Sequence, residues 1–144
     1  MMNYANEEAL KSTDPNKKVG AVILNNTNSI LARGHNAFPK NVEVSKERLI
    51  KETKLKYVVH AEVNAIINAF KHPAGCSIKG SVMFSTFYPC PTCAGAIINS
   101  GIKQVITYPM PENSSWTDNM KISEIMFKEA GVEVVLLHKP KNLK

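Results

Sequence analysis

Long hydrophobic runs are missing from this sequence of 144 residues. No apolar stretch approaches the roughly 18 residues that a membrane-spanning helix needs, so no membrane partner is expected. Residues 1–20 contain no hydrophobic segment of the signal-peptide type, and we therefore expect a cytoplasmic protein.

Cysteine is scarce, and its number is odd. With only three cysteines in a protein expected in a reducing compartment, a disulfide framework is not expected. Cys90 and Cys93 have the C-x-x-C spacing, which is typical of metal or redox sites. Cys76 stands alone, and we expect it to fill space.

Long runs of like charge are also absent. The formal net charge is +6, but no run of five or more like charges occurs, and acidic residues are interleaved with the lysines. This pattern argues against a polynucleotide-binding surface. A basic surface still attracts phosphate groups, including the phosphate of a small nucleotide.

The order of predicted elements alternates between strands and helices after an opening hairpin. This alternation predicts one domain over residues 1–144, with helices on both faces of the sheet. The fold class is a three-layer α/β/α sandwich with a five-stranded mixed sheet, and the basic tail from about residue 138 is expected to fray. The predicted strands are 18–24, 29–34, 80–87, 103–108 and 132–137, and the predicted helices are 3–12, 45–54, 60–70, 91–101 and 118–131.

In two of the predicted helices the positions of the apolar residues indicate how the helix packs. The helix that begins near His60 is rich in apolar residues up to Phe70, so it should pack on most sides. Glu62 lies in its first turn, where a buried carboxylate needs a partner. In the predicted helix 118–131, Ile122 and Ile125 share one face with Met126.

One histidine and two cysteines form a candidate metal site at the start of two predicted helices. His60, Cys90 and Cys93 are three soft or borderline ligands, the number that a catalytic zinc site takes from the protein. Helix starts also lower thiol pKa values. Taken singly, a C-x-x-C pair is equally compatible with a redox site, and a histidine at a helix start with a cap. Glu62, next to this set, is the candidate proton shuttle.

The segments "HAE" at 60–62 and "PCPTC" at 89–93 match the H-x-E…P-C-x-x-C signature of zinc-dependent base deaminases. With "STDPNKKVGAVIL", "GHNAFP", "KYVVHAEVNAI" and "PCPTCAGAIINSGIKQVI", the chain resembles the cytidine and deoxycytidylate deaminase superfamily, and most of all its deoxycytidylate (dCMP) branch. The resemblance extends from about Ala9 to Leu137 and implies the cytidine deaminase-like fold.

The resemblance implies zinc-dependent deamination of dCMP to dUMP with release of ammonia. His60, Cys90 and Cys93 correspond to the zinc ligands, and Glu62 corresponds to the general acid and base. Many dCMP deaminases carry a second zinc with ligands in the segment before the HAE motif. Residues 37–59 contain neither cysteine nor histidine, so we expect one zinc ion per chain.

Substrate contacts are also implied by the resemblance. Asn36 corresponds to an asparagine that holds the nucleoside, and the alternative is a loop residue that stabilises its own turn. Lys11 and the loop 14–18 are candidates for a 5′-phosphate site, with a solvated basic face as the alternative. Trp116 follows the fourth strand, where this family often builds one wall of the site. The predicted substrate-binding residues are Lys11, Ser12, Asn36, Ala61 and Tyr108.

Other activities of the same zinc core remain open. They are deamination of free cytidine or deoxycytidine, of guanine, or of a tRNA adenosine. A non-catalytic nucleic-acid-binding member of the fold is a further alternative, against which the intact Glu62 argues. The resemblance also implies a homo-oligomer, either a dimer or a hexamer, and it leaves regulation by a deoxynucleoside triphosphate effector open.

Overall fold

The structure is a computed structural model that describes residues 1–72 and 77–141 and is built around one sheet. Cys76 and the last three residues of the predicted tail, 142–144, lie outside the described residues. The spatial order of the strands is β2-β1-β3-β4-β5. The strands are β1 (Gly20–Leu24), β2 (Ile30–His35), β3 (Val82–Ser85), β4 (Gln104–Thr107) and β5 (Glu133–Leu136).

The sheet is mixed, as the sequence predicted. β1 runs antiparallel to both of its neighbours, β2 and β3, whereas β3, β4 and β5 run parallel to one another. The parallel strands are joined by helical crossovers, which place the carboxyl ends of β3 and β4 at one edge of the sheet. In open parallel sheets, ligands bind at this edge.

Helices cover both faces of the sheet, so the predicted three-layer sandwich is confirmed. One face packs against α1, and the other packs against α3, α4 and α5. Within the described ranges, no helix is long and apolar enough to cross a membrane. The helices are α1 (Met2–Ala9), α2 (Lys51–Tyr57), α3 (Ala61–Phe70), α4 (Pro91–Ser100) and α5 (Thr117–Ala130).

The predicted helix over residues 45–54 is divided in two. A short 3-10 turn spans Glu47–Leu49, and α2 begins at Lys51. Ile50, between them, has an extended backbone with φ −64° and ψ 135°, which interrupts the helical hydrogen bonding. The second piece, α2, continues three residues beyond the predicted end and forms part of the wall of a cavity.

Strand alternation divides the core between the two faces. Side chains at every second position point to the same face of a strand. On the face of α3, α4 and α5 the strands contribute Ala21, Ile23, Met83 and Val105. On the face of α1 they contribute Val22, Phe84 and Ile106, and the alternation continues to Tyr108.

Two glycines allow helices to lie unusually close to the sheet. A Cβ atom on Gly20 would lie 2.0 Å from the carbonyl oxygen of Ala5 in α1. A Cβ atom on Gly34 would lie 2.3 Å from the backbone nitrogen of Ala65 in α3. No larger residue fits at either position without moving the helix, so Gly34 sets the distance between β2 and the helix that carries Glu62.

One expectation about a buried helix face is wrong. The α3 helix is not packed on most sides, because Ile67 is 42% exposed and Phe70 is 68% exposed. On the predicted apolar face of α5, Met126 packs against the core, whereas Ile122 and Ile125 are 51% and 57% exposed. The buried residues of α5 are Met120, Ser123 and Phe127.

A buried carboxylate ties α1 to the sheet. Glu8 is 4% exposed, and its Oε2 lies 2.7 Å from Nδ1 of His35 in β2. Its Oε1 lies 3.0 Å from Nζ of the exposed Lys11. Burial raises the pKa of Glu8, but the hydrogen bonds and charges of His35 and Lys11 outweigh it and hold the pKa below its ordinary value.

We predict that Glu8→Gln lowers the free energy of unfolding by about 1.5–3 kcal/mol at pH 7, because the amide loses the charge-assisted bonds. A carboxyl group with a depressed pKa in the folded state stabilises the fold above its unfolded pKa, and this contribution disappears as pH falls through the folded pKa. The gap between wild type and variant in urea unfolding should therefore close on acidification. Glu7→Gln, at the neighbouring exposed position, is the control. An equal effect of the two substitutions would contradict the assignment.

Candidate active site and metal centre

A cavity of about 420 Å³ opens at the carboxyl ends of β3 and β4. Its wall is formed by five parts of the chain that are separate in sequence. They are the loop 14–19, Asn36 after β2, α2 with the residues that follow it up to Glu62, the residues 87–90 after β3, and the residues 111–120 before and within α5. The cavity is large enough for a small-molecule ligand.

His60 and Cys90 occupy the same structural position at the start of two helices. His60 is the N-cap of α3, with φ −69° and ψ 154°, and Cys90 is the N-cap of α4, with φ −74° and ψ 169°. The extended backbone turns each side chain away from its helix. Pro91 in the first position of α4 favours a helix start there. Cys93 follows one turn later and is fully buried.

The two helix starts bring three potential metal ligands together. Nδ1 of His60 lies 3.3 Å from Sγ of Cys93 and 3.4 Å from Sγ of Cys90. The ligand atoms of these three residues all lie within 4.8 Å of one another. Among the described residues, they form the cluster of histidine, cysteine or carboxylate groups that is tight enough to bind a metal ion. The cluster is compatible with one zinc ion, which favours imidazole and thiolate ligands.

The pKa values of the two thiols are shifted in opposite directions. A hydrogen bond from Cys93 and the neighbouring His60 lower the pKa of Cys90 to about 4, although burial opposes this. The hydrogen bond to Cys90, burial and the charge of Glu62 raise the pKa of Cys93. The hydrogen bond to Cys90 also raises the pKa of His60. A divalent cation would bind both sulfurs as thiolates. It would therefore stabilise the thiolate form of Cys93, which the raised pKa disfavours.

Glu62 lies beside this cluster and is 4% exposed. Burial raises its pKa, and the hydroxyl of Ser85 at the end of β3 donates a hydrogen bond to Oε1 at 3.0 Å. None of the ion pairs found in residues 1–72 and 77–141 involves Glu62. A buried carboxylate next to two thiols is unfavourable without positive charge, so the donor set and its charge both fit a bound cation.

Asn36 and Ala61 line the cavity, as expected for substrate-binding residues. The amide of Asn36 also holds the loop before β1: its Oδ1 accepts from the backbone nitrogen of Val19, and its Nδ2 donates to the carbonyl of Lys17, both at 2.8 Å. Ser12 is buried behind the wall, where its hydroxyl donates to the carbonyl of Asn36 at 2.8 Å. Asn36 therefore has both a structural role and access to a ligand.

The structure does not bring Lys11 or Tyr108 into the cavity lining. Lys11 pairs with Glu8 just beyond the end of α1. Tyr108 packs on the face of α1, where its hydroxyl accepts a hydrogen bond from Asn6 at 3.0 Å. Strand alternation through Ile106 accounts for this orientation of Tyr108. Trp116, further along the same connection, lines the cavity instead.

Some lining residues were missed from the sequence. Lys51 and Lys54 of α2 line the cavity, and Nζ of Lys54 lies 2.9 Å from Oδ1 of Asp14. Lys17, which belongs to the predicted phosphate loop 14–18, also lines the cavity, and its Nζ lies 3.8 Å from the ring centre of Phe87. The turn residues before the first strand predicted the loop at Asp14, but no local pattern marks its partner 40 residues away.

A family profile described as the cytidine and deoxycytidylate deaminase zinc-binding region matches residues 1–109. The chain is 39% identical over 128 residues to an uncharacterized deaminase in the luxG 3′ region of Aliivibrio fischeri, covering 88% of this chain and 83% of that protein. It is 38% identical over 132 residues to human deoxycytidylate deaminase, covering 86% and 70%. The dCMP deaminase of cyanophage S-TIM5, in complex with dCMP and dUMP, superposes with a TM-score of 0.73 at 29% identity, covering 94% and 93%.

We predict that purified protein contains one zinc ion per chain and that Cys93→Ala loses it. Because the metal would join two helix starts, the variant should also unfold at lower urea concentration than the zinc-loaded protein. Elemental analysis and urea titration measure both effects. As the control, wild type stripped with a chelator should show the same loss of stability and should recover when zinc is returned, whereas the variant should not. A variant that retains a full equivalent of zinc would rule out Cys93 as a ligand.

Proposed function

Since this chain belongs to the cytidine and deoxycytidylate deaminase family, we propose that it deaminates dCMP to dUMP and ammonia with one bound zinc ion. The observation that carries the proposal is the buried carboxylate of Glu62 beside three clustered ligand atoms at the end of a cavity. The substrate is suggested by the relatives, among which are a human deoxycytidylate deaminase and a phage enzyme in complex with dCMP and dUMP.

In this proposal His60, Cys90 and Cys93 hold the zinc ion. Bound zinc lowers the pKa of a water molecule toward about 7 and so makes a nucleophile available at neutral pH. Both helix starts point their positive ends at the site, which favours the thiolate form of the two cysteines.

Glu62 moves the protons of the reaction. Its carboxylate accepts a proton from the water as the oxygen bonds to C4 of the cytosine, and it passes that proton to N3. It then carries the remaining hydroxyl proton to the exocyclic amino group, the C4–N bond breaks, and ammonia leaves. One water is consumed, and the ring keeps the oxygen as the C4 carbonyl of uracil. Because Glu62 is buried and accepts a hydrogen bond from Ser85, its carboxyl group is held in one place for both transfers.

The lysines of the cavity wall support a ligand with a phosphate group. Lys54 is neutralised by Asp14, whereas neither Lys17 nor Lys51 forms an ion pair among the described residues. Partial burial and the charge of Lys139 hold the pKa of Lys17 below its ordinary value, so a nearby anion would be favourable there. Phe87 and Trp116 also line the cavity, so aromatic side chains are available to a planar base. Of the residues predicted for the phosphate site, Lys11 and the loop 14–18, we therefore assign the role to Lys17.

We predict that Glu62→Gln keeps zinc and fold but lowers kcat for dCMP deamination by at least about 10²–10⁴-fold, because the amide cannot shuttle protons. Ammonia release measures the rate, and elemental analysis with a thermal unfolding curve controls for metal and fold. A zinc-loaded, folded variant that turns over near the wild-type rate would remove Glu62 from the mechanism.

We predict that dCMP is used at least about tenfold better than deoxycytidine, since one charge-assisted contact to the phosphate has that effect on kcat/KM. Lys17→Met should remove most of this preference, and Lys11→Met, the matched control outside the cavity, should leave it intact. Added salt should weaken the preference.

The substrate panel is dCMP, CMP, deoxycytidine, dCTP, guanine and an adenosine-containing tRNA anticodon stem. Equal rates on dCMP and deoxycytidine would eliminate the phosphate site. Activity confined to guanine or to the tRNA stem would replace the proposed substrate by another substrate of the same zinc core.

A further inference from the structure

The single buried side chain of α2 is a lysine. Lys54 is 5% exposed, and no apolar residue of α2 is buried. Every other helix packs on the protein through at least one buried apolar residue. The helix α2 nevertheless forms one wall of the cavity through Lys51, Lys54 and Leu55. Its position therefore depends on polar and ring contacts to an unusual degree.

Those contacts join α2 to the segment after β2 and to the loop before β1. At the C-terminal end of α2 the ring of Tyr57 stacks on Phe38, with 5.3 Å between ring centres, and Val59 pairs with Ala37 through two backbone hydrogen bonds. In the middle of α2, Nζ of Lys54 donates to Oδ1 of Asp14 at 2.9 Å. We call this contact the Lys54–Asp14 bridge. Among the hydrogen bonds and ion pairs of the described residues, it is the one that joins α2 to the loop 14–19.

Asp14 also shapes the loop to which it belongs. The same Oδ1 accepts hydrogen bonds from the backbone nitrogens of Asn16 at 2.8 Å and Lys17 at 3.0 Å. Burial raises the pKa of Asp14, but these bonds and Lys54 outweigh it, so the group stays ionised at neutral pH. One carboxylate oxygen of Asp14 therefore holds both the turn of the loop and the helix α2.

The bonds continue from this turn to Asn36, which lines the cavity. The carbonyl of Lys17 accepts from Nδ2 of Asn36, and the next bond joins Val19 to the Oδ1 of the same amide. Ser12 closes the path, since its hydroxyl donates to the carbonyl of Asn36 and accepts from the backbone nitrogen of Asp14 at 3.2 Å. The position of Asn36 is thus connected to α2 through Asp14.

We infer that the Lys54–Asp14 bridge is a positioning element that holds two walls of the cavity, α2 and the loop 14–19, at the separation that fits the ligand. Its two side chains are 6% and 7% exposed, so water weakens the interaction little. Lys54 acts through Asp14 and is not itself a ligand for the phosphate. The effect on substrate affinity rests on the proposed function, whereas the effect on the cavity walls does not.

The kinetic test uses Lys54→Met, Asp14→Asn and the double variant, each with zinc bound and dCMP as substrate. Each single variant should raise KM about tenfold and change kcat little. The double variant should have no higher KM than either single variant, because the same interaction is lost in all three. Glu8→Gln is the matched control. It breaks a buried ion pair outside the cavity and should leave KM unchanged at a similar loss of stability.

Three kinetic outcomes would overturn the inference. If Lys54→Met raises KM and Asp14→Asn does not, Lys54 contacts the substrate directly. If the effects of the two single variants multiply in the double variant, or if KM does not change, the bridge does not set the geometry of the cavity.

A second measurement needs no substrate. Amide hydrogen exchange over residues 14–19 should accelerate in Lys54→Met, since the backbone groups held by Asp14 and Asn36 lose their fixed geometry. The same segment should be unaffected by Glu8→Gln. Unchanged exchange in Lys54→Met would overturn the positioning role even if the protein proves to be a dCMP deaminase. Faster exchange would support that role even if no nucleotide of the substrate panel is deaminated.

Discussion

The convergence of two helix N-termini on one point is the constraint from which the rest of the site follows. His60 and Cys90 are both N-cap residues in extended conformation, and each helix directs the positive end of its dipole at the same small volume. Thiolates and a carboxylate are tolerated in such a volume, and elsewhere in the core they would be costly. The close approach at Gly34 and the hydrogen bond from Ser85 at the end of β3 to Glu62 both fix α3 relative to the sheet.

The polar groups of the cavity carry both signs of charge. Cys90 and Glu62 line it together with Lys17 and Lys51. A ligand that has both a polar base and a phosphate group would complement this lining. Asp14 neutralises Lys54, so the positive charge available to a ligand comes from fewer residues than the lysine count of the wall suggests.

The sequence predicted what local patterns determine. Helix starts at His60 and Cys90, the mixed sheet and the candidate ligand residues follow from short-range spacing and from alternation between strands and helices. The orientation of Tyr108 follows from the alternation along β4, whereas the position of Lys11 and the exposure of Phe70 and Ile122 depend on how elements rotate as they pack, which no short pattern encodes. The Lys54–Asp14 bridge joins residues distant in sequence and was missed for the same reason. The one-domain organisation, the dimer or hexamer and the nucleotide effector remain predictions.

The most direct test of the account is X-ray absorption at the zinc edge of the purified, fully loaded protein. The account predicts a single class of zinc site with two sulfur ligands and one imidazole, and with the remaining position taken by a light atom that substrate or product can perturb. That result would place the metal between the two helix starts with an open position for chemistry. Three or more sulfur ligands, or a second imidazole, would mean a closed structural site and would contradict the central claim.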